Sequence, residues 1–120
     1  MAVTVKLINK DPLYRLPELL EIIRNDFKSN FYKSNLVNYS YQKLSDDSGA
    51  LIMNYEQYFI RISRFAGLSV FITESCGIQK AVITSIGGGT GLLNNSYGVN
   101  DSFAGKMASF LKKEGFMQIH

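Results

Sequence analysis

Residues able to do chemistry are sparse in this chain of 120 residues. Cys76 stands alone, so it can form neither an internal disulfide nor a cysteine-pair metal site. It follows Glu74 in a turn-like stretch, where a neighbouring carboxylate disfavours the thiolate, and no histidine is at hand to activate it. His120 is the only histidine and the last residue, a poor position for acid–base work. Asp46 and Asp47 are adjacent in a turn, and Glu18, Glu21 and Asp26 fall on a helix surface, where carboxylates solvate a fold. No spacing brings three or four nitrogen, oxygen or sulfur ligands together, so neither a metal nor a cofactor is expected. The residues therefore point to a non-enzymatic domain. An enzyme would need two titratable groups converging with Thr84, Ser85 or Thr90 in one cleft.

Binding chemistry has two better sources. Gly87, Gly88 and Gly89 precede Thr90 and Gly91, and consecutive glycines can expose backbone amides to an anion. The Gly-Lys-Ser/Thr ending of a P-loop and the GxGxxG spacing are both missing, so a left-handed connection after a strand competes with that reading. The aromatic residues are the second source: seven Tyr and eight Phe with no Trp. Tyr39, Tyr41, Tyr55 and Tyr58 lie in runs that should be neighbouring strands. If they face a cleft under a helix, their hydroxyls can orient a small apolar ligand; facing the core, they fill it; facing out, they make a partner surface. The expected ligand-binding set is Tyr39, Tyr41, Tyr55, Thr84, Ser85, Gly87, Gly88, Gly89 and Thr90. Arg61, Arg64 and Lys80 near Tyr58 are too dispersed for the cationic rail of a nucleic-acid platform.

The elements that must position these residues follow from hydrophobic periodicity. Val3, Val5 and Leu7 alternate as a first strand, broken at Asp11-Pro12. Leu13, Leu16, Leu20, Ile23 and Phe27 recur at the three-to-four spacing of a helix, placed at 16–29 with Pro17 in its first turn. From Leu36 to Gly87 the period becomes two. Val37, Tyr39 and Tyr41 are assigned one strand face, and a turn cluster runs from Ser45 to Gly49. A second run from Ala50 to about Phe59 puts Leu51, Met53 and Tyr55 on one side. A turn is expected at Arg64–Gly67, then a third run with Leu68, Val70 and Ile72. Glu74–Gly77 reads as a hairpin loop, and Ile78–Ile86 as the fourth run. An irregular stretch to Asn100 leads into a helix capped by Asp101 or Ser102, striped by Phe103, Met107, Phe110 and Leu111, and stopped at Gly115.

The sum is a single α+β domain: a two-layer sandwich in β-α-β-β-β-β-α order with a curved antiparallel sheet. That order resembles the TBP-like, or helix-grip, arrangement, in which the sheet wraps the last helix. The stretch Ala81-Val82-Ile83-Thr84-Ser85-Ile86-Gly87-Gly88-Gly89-Thr90-Gly91, followed by a helix with Phe103 and Leu111, also resembles an uncharacterised domain-of-unknown-function family of small bacterial proteins (DUF6054-like). That resemblance implies a fold and no chemistry. Hydrophobic residues make up 46% and charged residues 19% of the chain, as in a globular domain. The net charge of +3 is scattered, which argues against nucleic acid. With no secretory signal and no apolar run long enough to span a bilayer, the expected compartment is the cytoplasm, without membrane contact. Two functions are carried forward: a binding domain for a small molecule or protein at a sheet–helix cleft or the glycine-rich loop, and a homodimeric interaction protein without a ligand.

Overall fold

The structure, a computed structural model, describes residues 2–27, 35–59, 64–87 and 99–119. In chain order these form β1 (Val3–Asn9), α1 (Leu16–Asp26), β2 (Asn35–Ser45), β3 (Ser48–Phe59), β4 (Arg64–Ser75), β5 (Ile78–Gly87), α2 (Val99–Lys113) and β6 (Met117–Ile119). The strands make one open antiparallel sheet in the order β2-β3-β4-β5-β1-β6. Alternation of side chains across the pleat decides everything that follows. One face carries Leu7, Leu51, Met53, Tyr55, Leu68, Val70, Ile72, Ala81 and Ile83, all buried. Helix α1 lies over β2, β3 and β4, and α2 over β4, β5 and β1, so both helices cover that same face.

The helices behave as their sequences dictate. Helix α1 begins at Leu16, with Pro17 in the first turn, where its missing amide proton costs nothing. Its buried stripe is Leu16, Leu19, Leu20 and Ile23, continued by Phe27 just past the end. Leu13 is not part of it: the residue precedes the helix and is 84% exposed. The helix ends at Asp26 because Phe27 is extended (ψ 124°), and residues 28–29 of the expected span lie outside the described residues. Helix α2 buries Phe103, Ala104, Met107, Ala108 and Leu111. It starts at Val99, within the stretch expected to be irregular. It stops where expected, since Gly115 takes φ 102° and two bonds close a Schellman motif: Phe116 N–H to Leu111 C=O at 3.1 Å and Gly115 N–H to Lys112 C=O at 3.1 Å. That stop turns the chain back so that β6, absent from the expected order, pairs with β1.

Two strand readings need correction. Arg64–Gly67 is strand, not turn: Ala66 pairs with Gly87 and Gly67 with Ile86. A glycine in a strand reads like a turn signal, but this one sits flat in the ladder. In β2, a bulge between Leu36 and Asn38 shifts the register, so Leu36 pairs with Tyr55 and Tyr39 with Met53. Leu36 therefore packs on the core, while Val37, grouped with Tyr39 by simple alternation, is 54% exposed. The turn expected at Glu74–Gly77 is a two-residue hairpin at Cys76 and Gly77 with φ 52° and 79°, the left-handed pair that matches strand twist.

At the hairpin end the covered face finishes in polar residues instead of hydrocarbon. Glu74, with only 7% of its side chain exposed, accepts from Arg15 Nε at 2.9 Å and from Gln79 Nε2 at 2.8 Å. Gln79 Nε2 also donates to the Tyr14 carbonyl at 2.7 Å, and Arg15 Nη2 to the Asp46 carbonyl at 2.9 Å. This cluster fastens the entry of α1 to the β2–β3 and β4–β5 hairpins. Its central donor is Gln79, 1% exposed. Gln79→Ala strands a carboxylate oxygen and a carbonyl, so an equilibrium urea titration should show a loss of about 1–3 kcal/mol.

Candidate functional site

The residues singled out by sequence do not converge. Tyr39, Tyr41 and Tyr55 do share the helix-facing side, through the pairs Tyr39–Met53, Tyr41–Leu51 and Tyr55–Leu36. Tyr39 lies on edge strand β2, 44% exposed, with the Arg24 guanidinium 4.8 Å above its ring. Arg24 in turn donates to both Glu21 carboxylate oxygens at 3.1 and 3.2 Å. Tyr41 is half-buried and packs on the core. Tyr55 is buried against Phe27 at 5.3 Å between ring centroids, and Phe27 stands edge-on to Phe110 at 5.9 Å. Ser85 lies on this side too, buried, in the row Leu36–Tyr55–Leu68–Ser85. Thr84 alternates to the opposite side of the sheet, so the expected set is split by the pleat. Gly87 ends β5 at φ 105°; Gly88, Gly89 and Thr90 lie outside the described residues.

On the helix side the space between sheet and helices is taken up by side chains. Phe103, Met107 and Leu111 are fully buried beneath α2. A groove of about 570 Å³ opens between Asp26 and Phe27 at the end of α1 and Gly105, Lys106, Ser109 and Phe110 of α2. Gly105 has open space where a Cβ would stand, so its place inside a helix answers to no close contact there. Among the described residues no three His, Cys, Asp or Glu side chains gather as a metal site would need. Cys76 is exposed, and its thiol donates to Asp47 Oδ2 at 3.5 Å; the carboxylate that meets it is thus Asp47 and not Glu74, which turns to the helix side. The Ser45 hydroxyl, and after it the Cys76 thiol, hold the Asp47 carboxyl below its ordinary range.

Among the described residues no helix lies over the opposite face of the sheet, and sequence reasoning passed it by. Its central row is Ile52, Phe71 and Val82, joined on either side by Ser40 and Lys6. Phe71 is 44% exposed. Nearer the Gly87 end stand Ile86, Phe65 and Tyr58, the last two edge to face at 5.2 Å. Between these apolar groups runs a row of uncharged polar side chains, Asn38–Asn54–Ser69–Thr84–Thr4. Within it Asn54 Nδ2 donates to Asn38 Oδ1 at 2.7 Å. Gly67 leaves a gap in this side-chain layer, a depression of about 200 Å³ bordered by Asn54, Ser69, Thr84 and Ile86. Thr84 thus borders this depression, on the side of the sheet opposite the expected sheet–helix cleft. The signal available in sequence was the bulk of Phe65 and Phe71 at positions where a one-sided strand would carry polar residues.

Tyr55 is the electrostatic exception on the covered side. Its hydroxyl is buried without a hydrogen-bond partner. Burial pushes the phenol up to about 12, with Arg24 pulling weakly the other way. The raised value means that the folded state favours the neutral phenol. That stability is complete below the unfolded value of 10 and is lost as pH rises through about 12. Tyr55→Phe removes an unsatisfied buried oxygen, so it should raise stability at neutral pH by about 1 kcal/mol. It should also flatten the decline between pH 10 and about 12, both read from urea midpoints across pH.

No family model matches the chain, and neither a curated protein nor a solved structure does.

Proposed function

We propose that this protein is a non-enzymatic interaction domain that works as a homodimer through the uncovered face of its sheet. The observation that carries the reading is the exposed apolar side chains there, Ile52, Phe65, Phe71 and Ile86 with Tyr58 beside them. Exposed hydrocarbon of this kind, in two groups flanking a neutral polar row, marks a contact surface. Its extent fits a partner of equal size: strands of 3 to 12 residues, about 4.8 Å apart with a rise of about 3.3 Å per residue, offer roughly 800–900 Å², the share each protein gives to a standard interface. Charge supports a second copy over a nucleic acid. Among the described strand residues the face carries Lys6, Lys80 and Glu56, too few cations and too nearly balanced for a phosphate backbone. Arg61 of the basic patch considered from sequence lies outside the described residues. The polar row is also chemically self-matching, since Asn, Ser and Thr each donate and accept and can pair with their own counterparts. Both helices on one side of the antiparallel sheet support a helix-grip-like or TBP-like architecture, which brings no activity of its own.

A second reading, a small-ligand site on the helix side, is supported by one observation: the Tyr55 hydroxyl, buried and unpartnered beside Phe27. It is the polar tip that an apolar pocket would present to a ligand. Native mass spectrometry of protein purified from its host decides that reading, and a spectrum showing the bare chain mass alone counts against it.

For the leading reading, multi-angle light scattering should give twice the chain mass of 13.5 kDa, and a monomer at high concentration would remove the proposal. Phe71→Glu places an uncompensated charge at the middle of the contact and should yield a monomer. A urea titration of that monomer should still show one cooperative unfolding transition, because an exposed side chain contributes little to the core.

A further inference from the structure

The uncovered face carries more than a reason to associate: its side-chain sizes select one way of doing so. We propose that two copies stack with their two-fold axis running across the strands, over the polar row Asn54–Ser69–Thr84, so that Phe71 of each copy seats in the depression above Gly67 of the other. This rests on the homodimer reading and goes beyond it by naming axis and register.

The geometry follows from the ladder. A two-fold relating stacked sheets lies in the contact plane, and the contact is isologous. Laid across the strands at Ser69, it sets β4 over β4 with direction reversed, and positions equally far from Ser69 on either side face each other. Phe71 then meets Gly67, and Phe65 meets Thr73. On β3 the mirror point is Asn54, which brings Tyr58 over Ala50; on β5 it is Thr84, which brings Ile86 over Val82. Each of the three bulky rings faces a small residue, the interdigitation that close packing between sheets requires. Glu56 falls over Ile52, its methylenes on the isoleucine and its carboxylate towards the β2 edge. The polar residues of the row meet their own counterparts along the axis. The competing arrangement, an axis along β4, stacks Phe71 on Phe71 and Phe65 on Phe65 and leaves the gap at Gly67 unfilled. Sheets packed face to face keep their strands within about 30° of each other, so the correspondence holds best over β3, β4 and β5.

Spin labels separate the two arrangements and the monomer. On a Cys76→Ser background, Ser69→Cys and Thr73→Cys each receive a nitroxide, and the dipolar distance between copies is read. With sheets about 10 Å apart and a rise of about 3.3 Å per residue, the Ser69 backbones should stand roughly 10 Å apart and the Thr73 backbones roughly 28 Å. A short Thr73 distance overturns the register while leaving the homodimer intact; no coupling at either site, together with a monomer mass, overturns both. A size swap adds an independent check. Within one chain a Cβ at Gly67 meets only carbonyl oxygens, that of Ile86 at 3.7 Å and that of Tyr55 at 3.9 Å, which is ordinary contact. Gly67→Phe should therefore fold, fill the depression and abolish the dimer, and adding Phe71→Gly should restore it. A Gly67→Phe dimer of unchanged affinity would sink the proposed seat, and if that variant fails to fold the label distances decide alone.

Discussion

Two helices supply too little hydrocarbon to cover both sides of a six-stranded sheet, and the rest of this structure depends on which side they take. Helices α1 and α2 both bury their apolar stripes on the face that carries Leu51, Met53, Val70, Ile72 and Ile83. The gain is one continuous core, including Phe103, Met107 and Leu111, that no division of the helices between two faces would provide. The cost is a sheet with no described helix on its other side. Antiparallel sheets tolerate that when the bare face is polar. Here it is only half polar, and the apolar half is the part on which the proposed contact rests.

The ends of the core are finished in different ways. At the hairpin end, Glu74, Gln79 and Arg15 close it with charge-assisted bonds that reach the entry of α1. Beside them Asn9 donates to the Glu114 carbonyl at 3.2 Å and accepts from the Asp11 amide at 3.1 Å, holding the end of β1 against the stop of α2. A Cβ on Gly115 would come within 3.1 Å of that Asn9 amide nitrogen, so the glycine answers both the left-handed turn and the close approach. Towards the other end Tyr55 carries the one unpartnered oxygen on a buried side chain among the described residues, edge-on to Phe27, which in turn stands edge-on to Phe110. Stability and candidate binding features are thus held apart, the first concentrated around the hairpins and the second towards Gly87 and across the uncovered face.

How far the site could be read from the chain is clearest in Thr84 and Ser85. Both stand in the Ile-Thr-Ser and glycine-rich run and belong to the set expected to bind at a sheet–helix cleft or at the glycine-rich loop. Adjacent residues in a strand point to opposite sides, so no single site on the sheet could hold both. Of the four tyrosines grouped by sequence, Tyr39, Tyr41 and Tyr55 share the helix side, whereas Tyr58, an odd number of residues from Tyr55, falls on the other face. Simple alternation groups Val37 with Tyr39 and Tyr41, but a bulge adds one residue to β2 and reverses parity beyond it. Gly67, taken for a turn, is instead the gap that shapes the outer face, and nothing local distinguishes a glycine left out for space from one placed for a left-handed φ.

By itself the chain determined what depends on neighbours a few residues away. The helical stripes, Pro17 in a first turn, the Gly115 stop, the Cys76-Gly77 hairpin and the alternation of β3, β4 and β5 are all short-range patterns with a fixed physical period. Tertiary structure alone decided where β1 inserts, that β6 returns to pair with it, and which of two partly apolar strand faces receives the helices. Those choices turn on contacts between residues as far apart as Asn9 and Glu114, and on the total hydrocarbon each face can bury. Both faces of β4 carry large apolar side chains, so periodicity could not rank them; only the placement of two helices, competing for the larger burial, left Phe65 and Phe71 on the outside.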